Sequence, residues 1–224
     1  MDAQEIFQAG LKAVSPADCV DRVVSLEHSM LRISDTNYDL NNISRIIVVG
    51  AGKATPAMAL AIENILSKHI NDGLITTKYG HRLPLRYIET VECGHPVPDK
   101  EGVNGTQNLL NMVSKLNSDA LVICLFSGGG SALLPAPVEG INLSEKQETT
   151  QLLLEAGCTI DEINTIRKHI SQIKGGLLAK AAHPAKVVSL MLSDVIGDKL
   201  DTIASGPTCP DNTTYSDSLE IIRR

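Results

Sequence analysis

The chain of 224 residues has no Trp, only two Phe and four Tyr. So few aromatics argue against the stacking platforms that hold single-stranded nucleic acid. Positive charge is also short: 20 Lys and Arg face 26 Asp and Glu, a net charge of −6. Bulk attraction to nucleic acid or to an anionic membrane is therefore not expected. No apolar run approaches the roughly 18 residues of a membrane span, and the opening MDAQEIF lacks the basic and apolar regions of a secretory signal. Five cysteines, at 19, 93, 124, 158 and 209, form no C-x-x-C pair. An odd, scattered set reads as reduced thiols in a cytoplasmic protein, not as a disulfide frame. The six histidines show neither H-x-x-x-H nor H-E-x-x-H, which argues against a zinc site. No G-x-S-x-G elbow is present, because Leu125 stands two before Ser127.

Apolar residues make up 43% of the chain, enough for one large α/β domain or two small ones. Apolar spacing predicts a helix over 3–14, and Ser15-Pro16 starts a second one that carries Val20, Val23, Val24 and Leu26. Residues 35–42 read as a polar loop. Strands are expected at 43–49, 73–77, 87–93, 119–126 and 186–192, and helices near 54–68, 102–116, 144–156 (capped by Ser144), 161–171 and 174–182. Alternating helices and continuously apolar strands fit a Rossmann-like α/β fold, a parallel sheet with helices on both faces. The last residues, YSDSLEIIRR, begin a helix that stops without a cap. The reading is that 1–224 form an N-terminal domain and that a C-terminal domain follows in the complete protein.

Ligands of such sheets bind beyond the carboxyl ends of the strands. Three segments follow strands directly and should open on one rim: Gly50–Lys53, Ser127–Ser131 and Ser193–Asp198. In Ser127-Gly128-Gly129-Gly130-Ser131 the missing Cβ atoms let backbone N–H groups approach an anion, and two hydroxyls add donors. The bland alternative is a flexible turn. Gly50-Ala51-Gly52-Lys53 is neither a dinucleotide fingerprint, since Thr55 stands where a third glycine belongs, nor a Walker A loop. What remains is Lys53 at a helix start, a poor place for a cation unless an anion binds there. Arg167, Ser171 and Lys174 are spaced for one helical face, and Arg clamps carboxylate or phosphate with two parallel hydrogen bonds. Lys174-Gly175-Gly176 could bring a cation close to a phosphate; a solvated basic face is the alternative. Asp194 and Asp198 could hold Mg²⁺ or act as a base, or could simply cap helices. The irregular stretch 193–210 is long enough to suggest function.

Six stretches together resemble the two-domain glycerate 2-kinase family: VVGAGKATPAMA (48–59), TKYGH (77–81), GHPVPD (94–99), LFSGGGSALLPAP (125–137), NTIRKHISQIKGG (164–176) and SDVIGDKLDTIASGPTCPD (193–211). They occur in the family's order and cover nearly the whole chain. The resemblance implies ATP- and Mg²⁺-dependent phosphorylation of the 2-hydroxyl of D-glycerate. It implies a catalytic Lys53 and Asp194, with Asp194 and Asp198 toward the metal. It also implies that Arg167 and Lys174 bind substrate carboxylate or phosphate, Arg167 within the catalytic set. Gly52, Ser127–Ser131 and Gly175 would line the phosphate path. The family's site lies between two domains, so this chain is expected to be an incomplete part of the enzyme; a homodimer is possible. Relatives have long been misnamed hydroxypyruvate reductases. That reductase activity is one alternative, against which the missing third glycine counts. A non-catalytic anion- or nucleotide-binding domain is the other.

Overall fold

Two adjacent strands set the frame because their apolar residues alternate between two cores. The computed structural model describes residues 2–224. Two helices, α1 (Ala3–Ala13) and α2 (Pro16–Val23), lead into a small antiparallel meander of β1 (Val24–Glu27), β2 (Met30–Ile33) and β3 (Thr36–Asp39). Next come β4 (Arg45–Ala51), α3 (Thr55–Leu66), β5 (Ile70–Lys78), β6 (Glu89–Cys93), α4 (Lys100–Val113) and β7 (Ala120–Ser127). The chain continues through α5 (Gly130–Leu133), α6 (Leu143–Glu155), α7 (Ile160–His169), α8 (Leu177–Ala182), β8 (Lys186–Leu192) and α9 (Tyr215–Ile222).

Strands β4 to β8 form one parallel sheet in the order β6-β5-β4-β7-β8. The order runs outward in both directions from β4 and β7, so the topological switch point lies between them, where an open α/β sheet places its ligand. Register pairs Ile47 with Val122 and Val49 with Cys124 on one face, and Ile46 with Leu121 and Val48 with Ile123 on the other. One face packs with α4, α5 and α8 through Leu109, Val113, Leu133, Leu178 and Phe126. The other packs with α2, α3 and the meander through Val20, Leu31, Ile62, Leu66 and Leu125. Each such side chain contributes roughly 1.5–3 kcal/mol on burial, which is why these strands are apolar along their whole length.

The meander corrects the reading of a helix through Leu26. The second helix ends at Val23, and Val24 and Leu26 lie in β1. His28 and Ser34 turn the chain at φ of 56° and 52°. Hairpin turns need positive φ and are usually marked by Gly or Asn-Gly; here His and Ser hold those positions, so the signal was silent. Asn142, not Ser144, caps α6, in a reciprocal box with Glu145. Strand β8 is half-buried because it ends the sheet. The helix α7 stops at His169, so Ser171 and Lys174 do not share a helical face with Arg167.

Candidate active site

The loops after β4 and β7 are bound to each other before any ligand is considered. Ser127, the last residue of β7, accepts a hydrogen bond from the Ala54 N–H at 3.0 Å, and its Oγ lies 3.0 Å from Thr55 Oγ1. The Lys53 N–H donates to Gly128 O at 3.0 Å. A Cβ on Gly52 would overlap Ser127 Oγ, and one on Gly50 would overlap Leu125 O. Gly52 is thus explained by the close approach of two strand ends.

The three glycines after Ser127 serve a related purpose. A side chain at Gly128 would overlap the Asp194 carboxylate. One at Gly129 would lie 2.8 Å from His95 Nε2 and 3.4 Å from Lys53 Cε, and one at Gly130 would lie 2.9 Å from Ala204 Cβ. Three successive residues without Cβ therefore let Asp194, His95, Lys53 and Ala204 close onto one loop. Helix α5 is a single turn, too short for a macrodipole to contribute much. The loop walls a cleft of about 270 Å³, together with His95, Asn164, Arg167, Asp194 and Thr202–Ala204.

The opposite wall is the irregular segment after β8. Ser131 Oγ lies 2.8 Å from Ser205 Oγ, which in turn donates to Asn164 Oδ1 at 3.1 Å. Ala204 and Ser205 have φ of 51° and 61°, a backbone strain of about 1–3 kcal/mol each for residues with a Cβ. The N–H groups of Gly175 and Gly176 donate to Ser205 O and Gly206 O at 3.1 and 2.8 Å. These bonds hold the strained turn in place. Lys168, almost fully buried, pairs with Asp201 at 3.5 Å and Asp211 at 3.3 Å, tying the same segment to α7.

Lys53, Arg167, Asp194, Gly128–Gly130 and Ser131 therefore come to one rim. Gly52, Ser127 and Gly175 sit around it as supports. Lys174 is 1% exposed, behind the cleft, with Nζ donating to Ser131 O at 2.8 Å. Asp198 is exposed and lies outside the residues that line the cleft. His95 and Asn164, which no residue spacing in the sequence marks as site residues, both line the cleft. Burial, then the positive charge of Lys53, Lys78 and His81, pushes the His95 pKa below its ordinary value. The side chains of Lys53, Arg167 and Asp194 make no hydrogen bond or ion pair among the described residues. Two cations and one carboxylate thus border the glycine loop with their charged heads uncommitted.

No group of three His, Cys, Asp or Glu side chains converges among the described residues. Mg²⁺ is ordinarily held by one or two carboxylates plus substrate phosphates. The uncommitted carboxylate of Asp194 fits that mode. No described helix is long and apolar enough to cross a membrane.

Fold and site together define a doubly wound α/β protein with a charged cleft at its switch point. The chain belongs to the DUF4147 family, a domain of unknown function whose model matches residues 2–224. It is 48% identical over 184 residues to a protein named D-glycerate 2-kinase from Thermotoga maritima, covering 82% of this chain and 44% of that one. A protein of Agrobacterium vitis named putative hydroxypyruvate reductase is 46% identical over 182 residues, covering 81% of this chain and 47% of its own length. A crystal structure of a Pyrococcus horikoshii protein superimposes with a TM-score of 0.92 at 40% identity, covering all of this chain and 51% of that one. The chain spans about half the length of the curated relatives it matches.

Proposed function

We propose that this chain supplies the N-terminal half of a glycerate 2-kinase, which transfers the γ-phosphoryl group of ATP to the 2-hydroxyl of D-glycerate. The observation that carries the reading is the set of uncommitted charged heads, Lys53, Arg167 and Asp194, around Gly128–Ser131 at the switch point of the sheet. The β6-β5-β4-β7-β8 order supports a Rossmann-like reading of the domain. The T. maritima relative's name supports the substrate assignment.

Phosphoryl transfer rests on positioning and charge neutralisation more than on covalent chemistry. Lys53 sets an ammonium against the transferred group, next to Gly129, where the backbone leaves room for it. Arg167 fixes the acid's carboxylate or a phosphate from the other side of the cleft. Asp194 orients the attacking hydroxyl and is the residue that would hold Mg²⁺, which would neutralise charge on the phosphates when bound. Lys174 acts behind the loop, holding Ser131 in place. His95 lies beside Gly129 with its pKa held below the ordinary value, which disfavours a further positive charge beside Lys53.

Lys53→Ala in the full-length protein should lower ADP formation with D-glycerate about 100-fold or more, the scale for losing one preorganised charge at a transferring phosphoryl group. The melting temperature should stay unchanged, because Lys53 is exposed and its side chain holds nothing in the fold. Turnover within threefold of wild type would remove Lys53 from the catalytic set.

A further inference from the structure

Behind the glycine loop lies a second, smaller cavity of about 40 Å³. Three of its walls are cations from three different elements: Lys146 on α6, Arg167 on α7 and Lys174 in the turn before α8. Lys146 is 5% exposed and Lys174 1%. Each lysine uses one protein acceptor, Ile170 O at 3.1 Å for Lys146 and Ser131 O at 2.8 Å for Lys174. An ammonium has three donors. Among the described residues, no Asp or Glu pairs with any of the three cations.

Such an arrangement works against stability. Buried charges are ordinarily paired, and these three repel one another. Burial and the neighbouring Arg167 bring the Lys146 pKa down to about 8, and burial with both neighbours pushes Lys174 well below its ordinary value. Pinning two carbonyls needs a donor, not a charge. An anion entering the cavity would satisfy the spare donors and remove the repulsion.

The cavity adjoins the main cleft, sharing Pro96, Ser131, Ala132 and Arg167 with it. Pro96, Pro98 and Pro135 form much of the remaining wall, and proline offers no N–H. Apart from the hydroxyl residues Ser131 and Thr150, the polar lining of the pocket is therefore cationic. Its size admits a compact oxyanion and no base or sugar.

We propose that Lys146 joins Arg167 and Lys174, the two residues that the glycerate 2-kinase resemblance assigns to substrate carboxylate or phosphate, in a buried subsite for the carboxylate of a small 2-hydroxy acid, and that Lys146 is its specificity-determining residue. The proposal rests on the kinase reading for which acid is the substrate, but not for the subsite itself. A carboxylate seated here leaves the hydroxyl-bearing carbon beside Ser131 and Ala132, facing the cleft that Asp194 lines and that Lys53 approaches at Gly129. The three cations would thus select for an acid over the corresponding alcohol.

The test is calorimetric titration of the full-length protein and its Lys146→Met variant with D-glycerate, D-lactate, glycerol and inorganic phosphate, each with a melting curve of the unliganded protein. The acids should bind wild type and glycerol should not. Lys146→Met should weaken both acids about tenfold or more, the scale of one charge-assisted hydrogen bond, and leave ATP affinity within twofold. The unliganded variant should melt at the same or a higher temperature, because an unpaired buried cation has gone. If Lys146→Met does not fold, Lys146→Gln takes its place. Acid affinity within threefold of wild type in the variant overturns the subsite, as does a lower melting temperature without any loss of binding. Lys146-dependent binding of phosphate with Lys146-independent binding of the acids overturns the carboxylate assignment. Lys146-dependent acid binding in a protein without kinase activity keeps the subsite and discards the kinase.

Discussion

At residue scale, the glycines of the 127–131 loop separate two effects that sequence alone merges. Gly128 lies outside the left-handed region, whereas Gly129 has φ +86°. A Cβ at Gly128 meets only the exposed Asp194 carboxylate, which can swing away. Gly128→Ala should therefore displace Asp194 and lower turnover about tenfold or more, with stability changed by no more than about 0.5 kcal/mol. A urea titration beside the kinase assay checks both. Gly129→Ala should lose stability as well, because it combines an unfavourable φ with a collision against His95. Lys146 gives the pH dependence. Its folded pKa of about 8 is depressed, so between about 8 and its ordinary value near 10.4 the unfolded chain binds more protons and stability rises with pH. Anion binding needs the protonated form, so D-glycerate affinity should fall as pH climbs above about 8. Arg167 and Lys174 face Lys146 in the cavity and no carboxylate does, so no acidic group shifts that window. A glycerate affinity flat from pH 7 to 9.5 contradicts this account.

At element scale, the sheet and the rim were legible in the sequence, and the turns were not. Strands β4 and β7 announced themselves because burial on both faces demands apolar residues throughout, as Ile46–Val49 and Leu121–Phe126 show. The loops that follow them could be placed on one rim from strand direction alone. The meander was hidden because His28 and Ser34 take turn positions without the usual glycine. The basic cavity was hidden because Lys146 belongs to a helix with little amphipathic signal and reaches its partners only through tertiary packing. The supporting role of Gly175 was equally invisible, since its partner Ser205 is 30 residues away in sequence. The strained segment at Ala204 and Ser205 depends on its ties. Lys168→Met should cost about 2 kcal/mol, below the 3–5 kcal/mol of a fully buried pair because Asp201 is nearly half exposed. Chemical denaturation measures that loss, and the same variant should raise the KM for substrate by loosening the 202–206 wall.

At the scale of the whole molecule, the glycine loop after β7 and the irregular segment after β8 form two walls of one cleft. Lys53, Arg167 and Asp194 border it with uncommitted charges, and the relatives that the chain matches are about twice its length. The name hydroxypyruvate reductase, carried by the A. vitis relative, predicts a different chemistry. Gly50-Ala51-Gly52 here is packed against Leu125 and Ser127, without the third glycine that a dinucleotide loop uses for helix packing.

The most direct measurement is a coupled assay of ADP release by the full-length protein with ATP, Mg²⁺ and D-glycerate, run beside NADH oxidation with hydroxypyruvate. The account predicts ADP release that requires D-glycerate and is lost in Lys53→Ala, with no oxidation of NADH. NADH oxidation by hydroxypyruvate without glycerate-dependent ADP release would contradict it.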